Sequence, residues 1–237
     1  MSNVKLLYGR GELSVDLPET SDVTLIRKPR MPTLADPSLA VESTLSNPIV
    51  SAVLKNHAKN AKTACILICD ITRPVPNSLI LGPIIRKLMT LGIQSEQITI
   101  LIATGLHRPN EGKELEELIG DPWVLENTKV ENHFARDDSA HIEVGITKKG
   151  NRILLDRRFV SADVRIVTGL VEPHFMAGYS GGRKVIAPGV AHAETITTFH
   201  SARYMEDPLA TNCNLHGNPL HEDQLEIVEM VGGALAM

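Results

Sequence analysis

Three short apolar runs constrain the fold of this 237-residue chain more than any other feature. They read TACILIC from Thr63, QITILIAT from Gln97 and DVRIVTGLV from Asp163. Continuous apolar runs of this length are typical of strands that are buried on both faces. Between the runs lie SLILGPIIRKLMTLG from Ser78 and NEGKELEELIG from Asn110, whose apolar spacing is compatible with helices. This alternation predicts an α/β fold, with a mostly parallel sheet flanked by helices.

Other segments carry weaker signals. VKLLYG and GELSVDL, close to the amino terminus, are extended in character, and residues 129–133 and 151–160 are further strand candidates. Asn47 and Pro48 are the residue types preferred at a helix N-cap and at the first helical position. They predict a helix over residues 47–59.

The composition argues against several classes of protein. The formal charge is −4 and aromatic residues make up 3% of the chain, so neither a basic face nor a base-stacking surface indicates a nucleic-acid partner. We find no secretory leader and no run long enough to span a membrane. Cys65, Cys69 and Cys213 include no Cys-x-x-Cys pair, which is typical of reduced thiols rather than a structural metal site. We therefore expect a cytoplasmic protein.

Each apolar run leads into a loop that combines polar side chains with a proline. These loops are DITRP at 70–74, TGLHRP at 104–109 and EPH at 172–174. Ligands of open parallel sheets bind outside the carboxyl ends of the strands. We therefore expect one aspartate, two arginines and two histidines to converge on one crevice. The alternative is that these polar residues have no shared function, because the loop after any strand commonly contains polar residues.

The segment GYSGGRK at 178–184 is rich in small residues. It resembles a phosphate-binding loop in composition, but a Walker A motif would need glycine in place of Arg183 and Ser or Thr in place of Val185. Small residues still allow backbone N–H groups to approach an anion. Without further evidence, Lys184 could equally be a solvated surface lysine, and His200 could equally be a histidine buried in the core, with no functional role for either.

The motifs DITRP, ATGLHRP, VEPHFMAGYSGGRKVIAPG and TTFHS occur in this order over the chain. Together they resemble the N-terminal domain of the nickel-dependent lactate racemase family over residues 8–210. The resemblance implies a nickel pincer nucleotide as cofactor. This group is a pyridinium mononucleotide whose two thio-acyl arms hold nickel through S–C–S, and it is linked to a lysine as a thioamide.

By motif position, the resemblance implies a role for each residue that would touch this cofactor. Lys184 would carry it covalently, and His200 would be the single protein ligand to nickel. Gly181 and Gly182 would let the backbone lie against the nucleotide. Asp70 falls where a polar contact to the cofactor or the substrate is expected.

The resemblance also implies the reaction, which is racemisation or epimerisation of a small 2-hydroxy acid such as lactate. His107 and His174 would be the paired acid/base groups, because a racemase needs a base on either face of one carbon. Arg73 would bind the substrate carboxylate. A histidine would take the hydroxyl proton while hydride passes from the α-carbon to the cofactor, and the planar 2-keto acid would be reduced on either face. The expected partners are this substrate and the enzymes that make and insert the cofactor.

Chains of this family are longer and carry a second domain that closes over the site. We therefore expect residues 1–210 to be the N-terminal catalytic domain and residues 211–237 the start of a truncated C-terminal domain. Two alternatives stay open. One is a non-catalytic domain that binds a nucleotide or anion, and the other is a metal-dependent hydrolase with His107 and His174 as ligands. No carboxylate–histidine ligand spacing supports the hydrolase.

Overall fold

The computed structural model describes residues 2–27 and 29–237. Within them the chain forms two compact units, one ending at Ala35 and the other comprising Asp36–Met237. The second unit contains every residue that the sequence marks as a candidate for the site. No helix among the described residues is long and apolar enough to cross a lipid bilayer.

The first unit contains an antiparallel hairpin of β1 (Ser2–Tyr8) and β2 (Gly11–Leu17). A two-residue turn joins the strands, and Gly9 has a positive φ of 57° there. Glycine adopts this backbone conformation without steric cost. The extended character predicted for VKLLYG and GELSVDL is thus confirmed.

The second unit alternates helices with strands. Its helices are α1 (Pro37–Ser46), α2 (Leu54–His57), α3 (Asn77–Thr90), α4 (Gly112–Ile119), α5 (Pro122–Asn127), α6 (Arg157–Val160), α7 (Arg183–Ile186), α8 (Ala193–Phe199), α9 (Ala202–Met205) and α10 (Pro219–Met230). Its strands are β3 (Ala64–Cys69), β4 (Ile98–Ala103), β5 (Lys129–Asn132), β6 (His141–Ile146), β7 (Arg152–Asp156), β8 (Val164–Val167), β9 (Pro173–His174), β10 (Gly178–Tyr179) and β11 (Leu235–Ala236).

The main sheet has the strand order β5-β4-β3-β8-β11, and all of its neighbouring strands run parallel. From β3 the chain moves outward to β4 and β5, then returns to the other side of β3 with β8. Leu67 of β3 pairs with Leu101 of β4 and with Val167 of β8. The predicted α/β fold is confirmed, with the three apolar runs side by side at its centre. The strand order reverses between β3 and β8, where such sheets open a crevice.

The strand β3 is buried on both faces, as its continuous apolar run predicts. Cys65 and Leu67 pack into one hydrophobic cluster with α7, α8 and α10. Ile66 and Ile68 pack into a second cluster with α3 and α4. Each fully buried aliphatic side chain of this size contributes roughly 1.5–3 kcal/mol to folding. The sheet is therefore a rigid base for the loops at its carboxyl edge.

The helix predicted over residues 47–59 is wrong. The helix α1 ends at Ser46, and Asn47 is its C-cap, with a backbone N–H that donates to the Ser43 carbonyl. The N-cap is Asp36, whose side chain accepts from the Leu39 N–H at 2.9 Å. An Asn-Pro pair is compatible with either end of a helix, because proline also follows C-caps. Only Leu54–His57 is helical in the rest of the predicted segment.

The helix predicted in NEGKELEELIG is confirmed in full, and the strand predicted at 151–160 is confirmed in part. The helix α4 ends at Gly120, which has the left-handed conformation expected of a C-terminal glycine, with φ 67°. The strand candidate at 151–160 is β7 over its first half only. Asp156 then caps α6, because its side chain accepts from the Arg158 N–H at 3.0 Å.

The segment after residue 210 packs within the second unit. The helix α10 contributes Leu220 and Ile227 to the cluster around Cys65, and β11 pairs with β8 at the edge of the main sheet. The division of the chain at residue 210 stays a prediction.

Candidate functional site

A crevice of about 300 Å³ lies at the carboxyl ends of the central strands. This volume is within the range of small-molecule sites. The loops after β3, β4 and β8 line it together with α7 and α8. The crevice brings together most of the residues that the sequence singles out, namely Asp70, Arg73, His107, His174, Gly181, Lys184 and His200.

Asp70 lies beneath His107 at one wall of the crevice. The Oδ2 atom of Asp70 is 2.6 Å from Nδ1 of His107. Its Oδ1 atom accepts from the backbone N–H of Thr72 at 3.1 Å and from the Thr72 hydroxyl at 2.5 Å. Because a carboxylate only accepts, the proton of the neutral imidazole lies on Nδ1 and the lone pair on Nε2. Asp70 was expected at the cofactor or substrate, and the structure places it against a candidate base.

The backbone around His107 is held from two sides. The buried Thr104 donates its hydroxyl to the His133 carbonyl at 2.7 Å, and the His107 N–H donates to the Thr104 carbonyl at 2.9 Å. Gly105, with φ 55°, donates to the Gly189 carbonyl at 2.9 Å. The imidazole is therefore exposed on a turn whose backbone is fixed.

His174 and Lys184 form a pair at the opposite wall. The Nε2 atom of His174 is 2.7 Å from Nζ of Lys184. The Nδ1 atom of His174 accepts from the N–H groups of Met176 at 3.3 Å and Ala177 at 3.2 Å. Both ring nitrogens are thus engaged by groups of the chain itself.

The electrostatic surroundings disfavour positive charge on both members of this pair. Burial, followed by the charges of Lys184 and Arg73, lowers the pKa of His174 to about 4. Burial, followed by the charges of Arg73 and Arg183, lowers the pKa of Lys184 to about 8. A lysine that is neutral this readily is an uncommonly good nucleophile.

His200 is the C-cap of α8 and lines the same crevice. Its Nδ1 atom donates to the Ile196 carbonyl at 2.8 Å, which leaves the lone pair of the neutral ring on Nε2. Metal-binding histidines are commonly oriented by a carbonyl in this way. The donor chemistry of His200 therefore fits a metal ligand.

The two predicted cofactor glycines differ in their surroundings. A Cβ atom on Gly181 would lie 3.0 Å from the Leu170 carbonyl oxygen, and its φ is 72°. Gly182 has φ 49°, and a Cβ atom there would meet nothing within 4 Å. Close packing on the loop after β8 thus requires Gly181, whereas backbone conformation alone requires Gly182.

The two candidate arginines lie in different places, and one of them is outside the crevice. Arg73 lines the crevice, with Nη1 3.8 Å from Oε1 of Glu172. Arg108 is bound to both carboxylate oxygens of Glu114, at 2.7 and 2.6 Å, and does not line the crevice. The expectation that both arginines converge there is therefore wrong for Arg108.

Sequence reasoning missed several residues that shape the site. Cys69, the last residue of β3, lines the crevice, and burial, followed by the charge of Asp70, raises the pKa of its thiol.

Two further residues hold the backbone that follows β8. The Ser180 hydroxyl donates to the Leu170 carbonyl at 2.6 Å. Asn218 caps α10 and donates to the Met176 carbonyl at 3.0 Å. Only Asn218 carried a recognisable signal, since it precedes Pro219 as N-caps often do.

A second polar cluster lies outside the crevice and was also missed. His133, His141 and Asp156 are buried, with one ligand-type atom of each within 4.8 Å of the others. Asp156 is already bound to Nδ1 of His133 at 3.2 Å and to Nη2 of Arg158 at 2.6 Å. These contacts form a buried polar network in which Arg158 is the ionic partner of Asp156.

Sequence comparison supports the same relationship as the motifs. The family model for the lactate racemase N-terminal domain matches residues 8–212. The chain is 36% identical over 185 residues to a lactate racemase of Lactiplantibacillus plantarum, which covers 78% of this chain and 43% of that protein. It is 32% identical over 227 residues to a lactate racemase of Thermoanaerobacterium thermosaccharolyticum, which covers 95% of this chain and 53% of that protein.

Structural comparison agrees. The lactate racemase apoprotein of T. thermosaccharolyticum superposes with a TM-score of 0.84 at 30% identity, covering 99% of this chain and 55% of that one. A Thermotoga maritima protein shares the fold, with a TM-score of 0.66 at 22% identity over 82% of this chain and 47% of that one. The chain thus spans about half the length of the relatives it matches. With a match that covers residues 8–212, the chain belongs to the lactate racemase N-terminal domain family.

Proposed function

We propose that the protein containing this chain is a racemase or epimerase of small 2-hydroxy acids, with lactate as the first substrate to test. The observation that carries the proposal is the placement of two imidazoles, His107 and His174, in one crevice together with the Arg73 guanidinium. A racemase needs a proton acceptor for each of two enantiomers. Membership of the lactate racemase family supports this assignment.

The chain supplies the substrate contacts and the acid/base groups. Arg73 binds the substrate carboxylate, since a guanidinium fork matches a carboxylate in shape and charge. His107 accepts the hydroxyl proton of one enantiomer at Nε2, because Asp70 holds its other nitrogen. His174 serves the other enantiomer at Nε2, once Lys184 no longer holds that nitrogen and the ring proton has moved to Nδ1. When the 2-keto acid returns to product, the imidazolium formed in the first step, or its partner histidine, gives a proton to the new hydroxyl.

We further propose that Lys184 and His200 hold a nickel pincer nucleotide. The lowered pKa of Lys184 suits a covalent link at Nζ, and the orientation of His200 suits a nitrogen ligand to nickel. Gly181 and Gly182 place no side chain between the loop and a nucleotide. When bound, this group supplies the redox chemistry at the α-carbon, which no side chain of the crevice can perform.

The hydrolase alternative fits the crevice less well. A zinc ligand needs a free ring nitrogen, and both nitrogens of His174 are engaged, one by Lys184 and the other by the N–H groups of Met176 and Ala177. Asp70 holds only Nδ1 of His107 and leaves Nε2 free, an arrangement that suits a base and a metal ligand alike. The contacts of His174 therefore weigh against a site in which both histidines bind a metal.

Intact-mass measurement after co-expression with cofactor-synthesis enzymes tests the proposal. We expect an adduct on Lys184 that is lost in Lys184→Ala and retained in Lys113→Ala, which removes an exposed lysine of α4. His200→Ala should keep the organic adduct and lose nickel. Unmodified protein that carries stoichiometric zinc would contradict the proposal and favour a hydrolase. Unmodified protein that binds only nucleotide would favour a non-catalytic domain.

A further inference from the structure

The hydrogen bonds that His174 makes determine which protonation state of Lys184 can pair with it. Two backbone N–H groups, those of Met176 and Ala177, point at Nδ1 of His174 at 3.3 and 3.2 Å. A proton on Nδ1 would oppose both of them, so the neutral ring carries its proton on Nε2. That proton faces Nζ of Lys184 at 2.7 Å. Only an uncharged amine has a lone pair to accept it, because an ammonium group is a donor alone.

The positively charged groups around the pair of His174 and Lys184 also favour the uncharged amine, because they lower the pKa of Lys184. Arg73 faces it from the loop after β3, Arg183 from α7, and His200 from α8. Glu172, the carboxylate on the loop after β8, lies with its Oε1 atom 3.8 Å from Nη1 of Arg73. The Cys69 thiol at the end of β3 acts in the opposite direction and favours the charged form of Lys184, but burial raises the pKa of this thiol itself.

The consequence for reactivity is large. A fall of the Lys184 pKa from its ordinary value of 10.5 to about 8 raises the uncharged fraction at neutral pH by roughly 300-fold. The side chain also lines the crevice rather than the core. At neutral pH about a tenth of the Lys184 amine is therefore uncharged, against about one in 3,000 for an ordinary lysine, and a small electrophile that enters the crevice can reach it.

We propose that His174 has a second task, which is to favour the uncharged amine of the unmodified Lys184 and so make this chain itself promote acylation of Nζ. The inference rests on the proposed function and deepens it by naming how the covalent link is made. In the step, the Nζ lone pair attacks the carbonyl or thiocarbonyl carbon of an activated acyl donor. The new C–N bond forms, the bond to the leaving group breaks with its electron pair, and the surplus proton of Nζ leaves with that group or to water.

The amide or thioamide formed at Lys184 can no longer accept the hydrogen bond from His174. The nitrogen lone pair of an amide or thioamide is delocalised and no longer accepts a hydrogen bond. The Nε2–H group of His174 is then free to turn to another acceptor in the crevice. Acylation of Lys184 thus frees Nε2 of His174. The ring can accept a proton there once its own proton moves to Nδ1, at the cost of the long contacts with the Met176 and Ala177 N–H groups. The pair of His174 with Lys184 therefore belongs to the unloaded protein.

Competitive labelling of the unloaded protein with trace acetic anhydride tests this inference. The extent of acetylation at Lys184 and at the exposed Lys113 is measured by peptide mass spectrometry from about pH 6 to about pH 10. We expect the labelling of Lys184 to rise with a midpoint near pH 8, well below the midpoint of Lys113. In His174→Ala the midpoint should move upward by about one pH unit, the equivalent of one hydrogen bond.

Two variants serve as matched controls. His174→Gln can still donate from its side-chain amide, so we expect a smaller displacement than in His174→Ala. His107→Ala removes the other imidazole of the crevice and should leave the labelling midpoint of Lys184 unchanged. A midpoint equal to that of Lys113 in the wild-type protein would overturn the inference even if no variant folds. A low midpoint that His174→Ala does not move would overturn the role of His174.

The experiment uses neither nickel nor nucleotide, so its failure differs from failure of the proposed function. An unreactive Lys184 that still acquires the adduct on co-expression would leave the racemase proposal standing. A reactive Lys184 that acquires no adduct would leave this inference standing and remove the cofactor proposal.

Discussion

Asp70 holds Nδ1 of His107 at 2.6 Å, from the end of a strand that does not carry the histidine. The carboxylate is buried, with 6% of its side chain exposed, whereas 60% of the imidazole is exposed. The fixed partner is thus inside the protein and the reactive nitrogen at the crevice. Because β3 and β4 are neighbours in the sheet, their loops meet at this point.

Asp70→Asn should impair catalysis without impairing cofactor attachment. The amide would offer an N–H group to Nδ1 of His107 and favour the tautomer whose Nε2 carries the proton. General acid/base groups are commonly worth about 10²–10⁴ in rate, so we expect a fall in kcat of that order with little change in KM. Steady-state assay of the cofactor-loaded protein measures both constants.

Asp138→Asn is the matched control, because Asp138 lies 3.0 Å from Nε2 of His192 but is 93% exposed and does not line the crevice. Its kcat should equal that of the wild type. Loss of kcat by less than about tenfold in Asp70→Asn would show that Asp70 does not orient a catalytic base.

Arg73→Met should weaken substrate binding. If the guanidinium binds the carboxylate, its removal costs about 1.5–3 kcal/mol, or roughly 10- to 100-fold in kcat/KM. Arg108→Met is the control, since Arg108 is bound to Glu114 on both carboxylate oxygens. Equal losses in the two variants, measured with the same 2-hydroxy acid, would rule out a specific carboxylate contact by Arg73.

Asp156→Asn should destabilise the fold rather than the chemistry. Breaking a buried ion pair costs about 3 kcal/mol of the free energy of unfolding, and Asp156 forms an ion pair with Arg158 and a hydrogen bond with His133. Urea unfolding measures this loss. Glu143→Gln, which breaks the exposed pair with Arg152, should cost less than about 1 kcal/mol. Similar losses in both variants would contradict the internal network.

The same network predicts a pH dependence. Burial raises the pKa of Asp156, but hydrogen bonds from His133 and Arg158 outweigh it, so the pKa lies below its ordinary value. The folded state then binds fewer protons than the unfolded state below about pH 4. The stability contributed by Asp156 is present above that pH and is lost as the pH falls, and Asp156→Asn should flatten this part of the stability curve.

The centre of the fold was predictable because β3, β4 and β8 are continuous apolar runs. Parallel strands end at a common edge, which is why the order of strands and loops along the chain is enough to assign Asp70, His107 and His174 to one crevice. The strand β6, partly exposed, and the two-residue β11 have no comparable pattern. Asn47 precedes Pro48 at the end of a helix rather than at its start, a choice that local sequence leaves open.

The pairings inside the site were not predictable in the same way. The contact of Asp70 with His107 and that of His174 with Lys184 depend on how loops from different elements meet. Arg108 and Glu114 are six residues apart along a turn and a helix start, without the regular spacing of a helical ion pair. Motif order locates the crevice, whereas side-chain packing decides which polar group takes which partner.

The interconversion of D- and L-lactate by the cofactor-loaded protein tests the central claim most directly. Chiral chromatography follows the reaction from each pure enantiomer in the wild type, His107→Ala and His174→Ala. Both proton transfers belong to every complete turnover, so each variant should lose about 10²–10⁴ in rate in both directions. The His107→Ala protein should retain the adduct on Lys184. A loss of less than about tenfold in either variant, or loss in one direction only, would contradict the assignment of the two histidines to opposite faces of one carbon.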